Sequence, residues 1–214
     1  MKRSSSSGED QESQEQKRGR LDSSVGSVSV LQAPLIAQSI VQCIGRTPLV
    51  QLGRIAREHD VQARILLKLE SLQPCSSVKD RIARTIVEEA EKRGDIVPGE
   101  SILLDCTSGN TGIGLAMVGA AMGYEVIIVM PETATLERKV TMKALGAKLV
   151  LTPGEHGING AFKKADQIAS SLGKKCYYVR QFTNPDNPKA HRFDPLLFLP
   201  SFTSSPPAQR HHRT

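Results

Sequence analysis

Lys79 stands in the run Pro74-Cys75-Ser76-Ser77-Val78-Lys79-Asp80-Arg81, where the spacing suggests a lysine turned toward a core. Wound as a helix over 76–93 at about 100° per residue, Val78, Ile82, Ala83, Ile86, Val87 and Ala90 form one apolar arc. Lys79 falls near the middle of that arc, while Asp80, Arg81, Arg84, Glu88 and Lys92 fall on the far side. An amine facing a core loses solvation, which favours its neutral form. A place in the first turn, near the positive end of the helix dipole, disfavours the cation further. A neutral lysine amine forms a Schiff base with an aldehyde. The same spacing fits a lysine that buries its stem and snorkels its head into water. Helical geometry alone leaves both readings open.

A second run, Asp105-Cys106-Thr107-Ser108-Gly109-Asn110-Thr111-Gly112-Ile113-Gly114, links an expected strand to an expected helix. Unpaired N–H groups and the dipole at a helix N-terminus favour an anion. Gly109 and Gly112 permit tight turning and close ligand approach. Thr107, Ser108 and Thr111 add hydroxyl donors, and Asn110 adds an amide that reaches a ring oxygen. The run suits a carboxylate or a phosphate; it also suits an ordinary capped turn, where Ser, Asn and Thr are favoured. A nicotinamide site is the rival reading, with Glu132 about 20 residues on, where a ribose-binding acid sits. The glycines read G-x-x-G-x-G, however, the reverse of the dinucleotide spacing, and the phosphate-loop signature is absent.

Composition narrows the classes. The 214 residues carry 28 Lys+Arg against 22 Asp+Glu, a scattered excess of +6 that solvated faces explain. With 4% aromatics and no Trp, a stacking surface for nucleic acid is not expected. No apolar run approaches the ~20 residues of a membrane span. Cys43, Cys75, Cys106 and Cys176 stand far apart without a CxxC pair, which points to reduced thiols in a cytoplasmic compartment rather than zinc or a disulfide scaffold. His59, His156 and His191 are isolated, and no metal is expected.

The elements that must position both runs follow from the pattern. Strands are expected at 48–52, 64–69, 101–105, 125–130, 148–151 and 175–179, and helices at 76–93, 111–122, 135–145 and 158–172. Strands alternating with helices imply an α/β fold with a doubly wound, mostly parallel sheet. Residues 1–36 read as a disordered low-complexity extension, 37–192 as the folded domain and 193–214 as a divergent, disordered tail.

Together these segments resemble the cysteine synthase (O-acetylserine sulfhydrylase) and cystathionine β-synthase family of pyridoxal-phosphate enzymes. The resemblance runs from Ile44-Gly45-Arg46-Thr47-Pro48-Leu49-Val50 through Lys68-Leu69-Glu70, the Lys79 run and Thr107–Gly112. It continues in Met130-Pro131-Glu132, Leu136-Glu137-Arg138, Ala144-Leu145-Gly146-Ala147 and Gln181-Phe182-Thr183-Asn184-Pro185, and covers about 40–192. It implies the fold-type II architecture, similar to the tryptophan synthase β chain, with an incomplete second half. It implies pyridoxal 5'-phosphate as cofactor, bound through the Lys79 amine, with Asn110 on its ring oxygen. Thr107, Ser108, Gly109, Thr111 and Gln181 would hold the substrate carboxylate. Lys79 would remove the α-proton of O-acetylserine, acetate would leave, and sulfide would add to give cysteine. Cystathionine β-synthase chemistry on serine with homocysteine, or β-cyanoalanine synthesis, differs only in the substrates joined. The family is usually homodimeric.

Cys106 departs from the proline that the family usually carries before Thr-Ser-Gly-Asn-Thr-Gly, with the loop donors intact. After Arg192 the resemblance ends, where family members continue into a Gly/Thr-rich phosphate loop and a late serine for the pyridine nitrogen. The expectation is a C-terminally truncated isoform that binds the cofactor weakly and turns over little. The reading of another class is an inactive fragment acting only as a binding partner.

Overall fold

Short β-branched runs alternate with amphipathic stretches, and the computed structural model, which describes residues 36–192, converts that alternation into strands and helices. In chain order these are β1 (Leu49–Gln51), α1 (Arg54–Glu58), β2 (Leu66–Lys68), α2 (Lys79–Arg93), β3 (Ile102–Cys106) and α3 (Asn110–Met122). There follow β4 (Glu125–Pro131), α4 (Leu136–Ala144), β5 (Lys148–Thr152), α5 (Gly157–Leu172), β6 (Cys176–Tyr178) and α6 (Asp186–Lys189). All belong to the unit that opens at Ala37. The expected extension over 1–35 and the tail over 193–214 lie outside the described residues.

Four strands form a parallel sheet in the order β5-β4-β3-β6. The chain steps outward from β3 to β4 to β5, then returns so that β6 pairs with the other side of β3. That reversal makes the carboxyl ends of β3 and β6 a topological switch point, the place where open α/β sheets hold ligands.

α2 and α3 cover one face of the sheet, where Ile86, Val87, Leu103, Leu115, Val118, Ile128 and Met142 are buried. α5 covers the other through Ala161 and Ala165, small residues that let the helix approach Leu104, Cys106 and Val129. Each fully buried Leu or Ile contributes about 1.5–3 kcal/mol. Gly94 and Gly123 end α2 and α3 at φ of 76° and 80°, a left-handed conformation that glycine adopts without a Cβ penalty.

Two expectations are corrected. β1 and β2 pair antiparallel in a separate two-stranded sheet. Their connection contains only the five-residue α1, too short to carry the chain across a sheet and return it parallel. The second correction concerns α2, which begins at Lys79 rather than at 76. Ile82, Ala83, Ile86, Val87 and Ala90 are buried as the periodicity requires, yet Asp80 and Arg81 are buried too, and Lys79 is only half-buried. The first turn of α2 is enclosed on its polar side by chain from 44–47 and 70–77, which the helical period cannot register.

Candidate functional site

The segment before α2 is built to present Lys79. Ser76 takes a left-handed φ of 55°, and the N–H of Cys75 donates to Asp80 Oδ2 at 2.6 Å. Ser77 Oγ accepts from the Lys79 N–H at 3.1 Å, occupying one of the orphan donors of the helix start. Burial pushes the Asp80 carboxyl up from its ordinary value, against the pull of the Cys75 N–H and with help from Glu70. Among the described residues the Lys79 amine has no hydrogen bond or ion pair, so its head is not tied to a surface carboxylate.

Arg81 braces the same turn. Its guanidinium donates to both carboxylate oxygens of Glu70, through Nε to Oε2 at 2.8 Å and Nη2 to Oε1 at 2.9 Å, and to Thr47 Oγ1 at 2.9 Å. The Thr47 hydroxyl donates in turn to Glu70 Oε1 at 2.6 Å, and Gln73 Nε2 donates to Oε2 at 2.9 Å. Burial alone would raise the Glu70 carboxyl; Arg81, Thr47 and Gln73 outweigh it and hold it at about 2.

The Thr107–Thr111 loop lies where β3 runs into α3. Its cap residue, Gly109, supplies no side-chain cap to the helix. The Gly112 N–H donates to the Gly109 carbonyl at 3.1 Å, and among the described residues the N–H groups of Asn110 and Thr111 have no acceptor, which suits an anion. Gly109 has φ −118° and ψ −160°, an extended conformation that any residue adopts, and a Cβ there would meet open space. Its lack of a side chain therefore serves clearance above the loop rather than turning. Gly112 serves the protein's own packing, since a Cβ there would lie 2.8 Å from Met142 Cε and 3.1 Å from Thr107 Cγ2.

Gly114 ties the two runs together. A Cβ on it would sit 3.1 Å from the Lys79 carbonyl oxygen and 3.3 Å from Ala83 Cβ. The starts of α2 and α3 thus lie side by side, with Lys79 against the helix that carries the loop. Gly114→Val should wedge them apart and lower stability by about 1–3 kcal/mol. Gly109→Ala should leave stability unchanged, because its Cβ points into open space. Urea unfolding of both variants checks the contrast.

Of the residues expected at the site, Thr107 and Thr111 are buried, Ser108 and Gly109 half-buried, and Asn110 exposed at the N-terminus of α3. Thr107 Oγ1 accepts from the Gly109 N–H at 3.2 Å. Gln181, from the turn after β6, reaches across the switch point and accepts the Thr111 hydroxyl at 2.6 Å. The structure therefore gathers the loop and Gln181, 70 residues apart, into one cluster.

Two further residues enter that sequence reasoning missed. Asp105, 2% exposed near the end of β3, accepts from Gln181 Nε2 at 3.3 Å. Burial pushes its carboxyl up to about 7, against the N–H groups of Cys106, Gln181 and Arg180. A lone carboxylate at the end of an apolar strand was the available signal. Arg138, on α4, donates to the Ser108 carbonyl at 3.3 Å and sets a cation beside the loop.

Cysteine synthase A of Escherichia coli is 50% identical over 148 residues, which are 69% of this chain and 44% of the bacterial protein. Among solved structures, a cysteine synthase from Entamoeba histolytica is similar with a TM-score of 0.70 and 43% identity, covering 76% of this chain and 49% of its own. An O-ureido-L-serine synthase is similar with a TM-score of 0.67 and 46% identity, covering 73% and 48% respectively. The chain spans about half the length of the curated relatives it matches. Its α/β architecture is that of the fold-type II enzymes. Residues 40–192 match the model of the pyridoxal-phosphate dependent enzymes, a match over most of the sequence, and the chain belongs to that family.

Proposed function

We propose that this chain carries the reactive half of a β-replacement site that joins sulfide to O-acetylserine, giving cysteine and acetate. The observation that carries the reading is the uncapped N-terminus of α3, open at the switch point and packed through Gly114 against Lys79. The residues present suit pyridoxal phosphate. An amine without a partner among the described residues can take its aldehyde, an exposed Asn110 amide can donate to its ring oxygen, and Gly109 leaves clearance for a flat ring.

When bound, pyridoxal phosphate supplies the electron sink that makes the α-proton of an amino acid acidic. The chain's residues do the rest. Lys79 would hold the aldehyde through its amine and, as a free amine, receive the α-proton. Asn110 would orient the ring, and the N–H groups of Asn110 and Thr111 with Thr107, Ser108, Thr111 and Gln181 would hold the substrate carboxylate.

The free state of Cys43, Cys75, Cys106 and Cys176 supports a reducing, cytoplasmic setting. Among the described residues no helix is long and apolar enough to cross a membrane. By the same family reading the chain pairs with a second copy, which light scattering of the purified chain tests.

The decisive experiment adds pyridoxal phosphate to the purified chain, then O-acetylserine, then sulfide. Visible absorbance should appear with the cofactor and shift with the substrate, and cysteine should be released. Homocysteine or cyanide in place of sulfide tests the two sister chemistries. A folded chain that gives no absorbance overturns the reading and leaves the chain a binding partner only.

A further inference from the structure

Asp105 is a buried carboxyl that the proposed chemistry does not use. It follows Leu104 on β3, opposite Ile128 of β4. Arg180 turns left-handed at φ 49° just after β6. The neighbouring N–H groups of Cys106, Gln181 and Arg180 pull the Asp105 carboxyl down against the larger effect of its burial. From Asp105 a line of polar contacts leads into the loop. Gln181 turns its N–H toward Asp105 and its carbonyl toward Thr111, whose hydroxyl hydrogen is thereby committed to Gln181.

The charge on Asp105 fixes that sense. An ionised carboxyl only accepts, so it holds the amide N–H toward itself. A protonated carboxyl carries a hydrogen whose acceptor is the amide oxygen, and the amide then turns over. Its N–H meets Thr111 Oγ1, and the Thr111 hydrogen is released toward the N-terminus of α3.

We propose that Asp105 is a positioning residue that sets the orientation of the Gln181 amide, and through it whether Thr111 offers its hydroxyl hydrogen to a bound carboxylate. The last step rests on the reading that this loop takes a carboxylate substrate. Burial pushes its carboxyl up to about 7, so the change of orientation is expected across the neutral range. Other titratable groups face it from the neighbouring elements. Burial pushes Cys106, beside it on β3, up to about 12, and Tyr178 on β6 likewise to about 12. Arg180 pairs with Asp166 of α5 at 3.2 Å. Ile128 from β4 and Thr111 from α3 carry no charge.

The test follows the side-chain NH2 signals of Gln181 in the nitrogen-15-labelled full chain, assigned by their loss in Gln181→Met. They should shift across the neutral range with a midpoint near 7. The shift should vanish in Asp105→Asn and persist in Thr111→Val. Signals that stay still, or that titrate unchanged in Asp105→Asn, overturn the proposal. Should Asp105→Asn fail to fold, the carboxyl carbon of Asp105 in the native chain must titrate with the same midpoint as the amide; different midpoints overturn it equally. In the cofactor-loaded chain, O-acetylserine affinity should weaken several-fold as pH rises through this range, and Thr111→Val should flatten that slope. If O-acetylserine changes no absorbance at any pH, the functional reading fails, and the amide titration alone decides the role of Asp105.

Discussion

Lys79→Ala should leave a folded chain that pyridoxal phosphate no longer labels after borohydride reduction. Half-buried at the start of α2, the side chain has no partner among the described residues, so removing it leaves no orphaned carboxylate. The cost to stability should be within about 0.5 kcal/mol, the range for substitutions that break no buried interaction. The chemical cost should be large. On the proposed function the same amine would hold the cofactor and receive the α-proton, and losing a positioned general base alone removes about 10²–10⁴-fold in rate. Mass spectrometry of the reduced chain reads the first role as a cofactor adduct on the peptide containing Lys79. Turnover in the presence of added small amines reads the second, since a diffusible amine can replace the proton acceptor without restoring the adduct. An adduct of undiminished yield in Lys79→Ala would place the reactive amine elsewhere. Lys79→Arg should behave like Lys79→Ala, because a guanidinium keeps its proton and takes no aldehyde.

Why this lysine could be singled out, while its immediate neighbours were misplaced, is a matter of range. The arc Ile82–Ala90 is a local property of one helix, and periodicity reports it correctly. Asp80 and Arg81 are buried by Cys75, Glu70 and Thr47, chain outside that helix and up to 34 residues away. No helical wheel contains those partners. The parallel sheet was legible because each crossover helix leaves its own sign between strands. β1 and β2 were misjudged because the sign between them is a helix of five residues. At the loop, Ser, Asn and Thr announce either a cap or an anion site. The structure puts Gly109 at the cap position, so none of the three supplies a side-chain cap to α3. Gln181 came through the resemblance alone, since a glutamine 70 residues from its partner leaves no local trace. Asp105 stood as the last residue of the expected strand 101–105. Its surroundings come from a left-handed turn at Arg180, far along the chain.

The brace beneath Lys79 carries the other large effect. Arg81→Met should destabilise the chain by about 3–5 kcal/mol, because it strands Glu70 in a partly buried site without its guanidinium. The midpoint of urea unfolding reads this directly. Cofactor labelling should fall as well, since the turn that Arg81 fixes to Thr47 is the one that presents Lys79. Glu70→Gln should have a smaller effect at neutral pH and a clear signature in acid. The folded Glu70 carboxyl is held at about 2, below its ordinary 4.5. Its contribution is therefore complete above 4.5 and is lost as pH falls from there toward 2. The native chain should lose stability across that window, and Glu70→Gln should lose less. The double variant Arg81→Met with Glu70→Leu removes both charges together. It should recover much of the loss, leaving about 1–3 kcal/mol for the Thr47 hydroxyl and Gln73 amide that no longer meet a carboxylate. If the double variant is no more stable than Arg81→Met, Arg81 acts through packing of its stem rather than through Glu70. If stability returns while labelling of Lys79 stays low, the charges set the geometry of the turn and the apolar pair supplies only its stability.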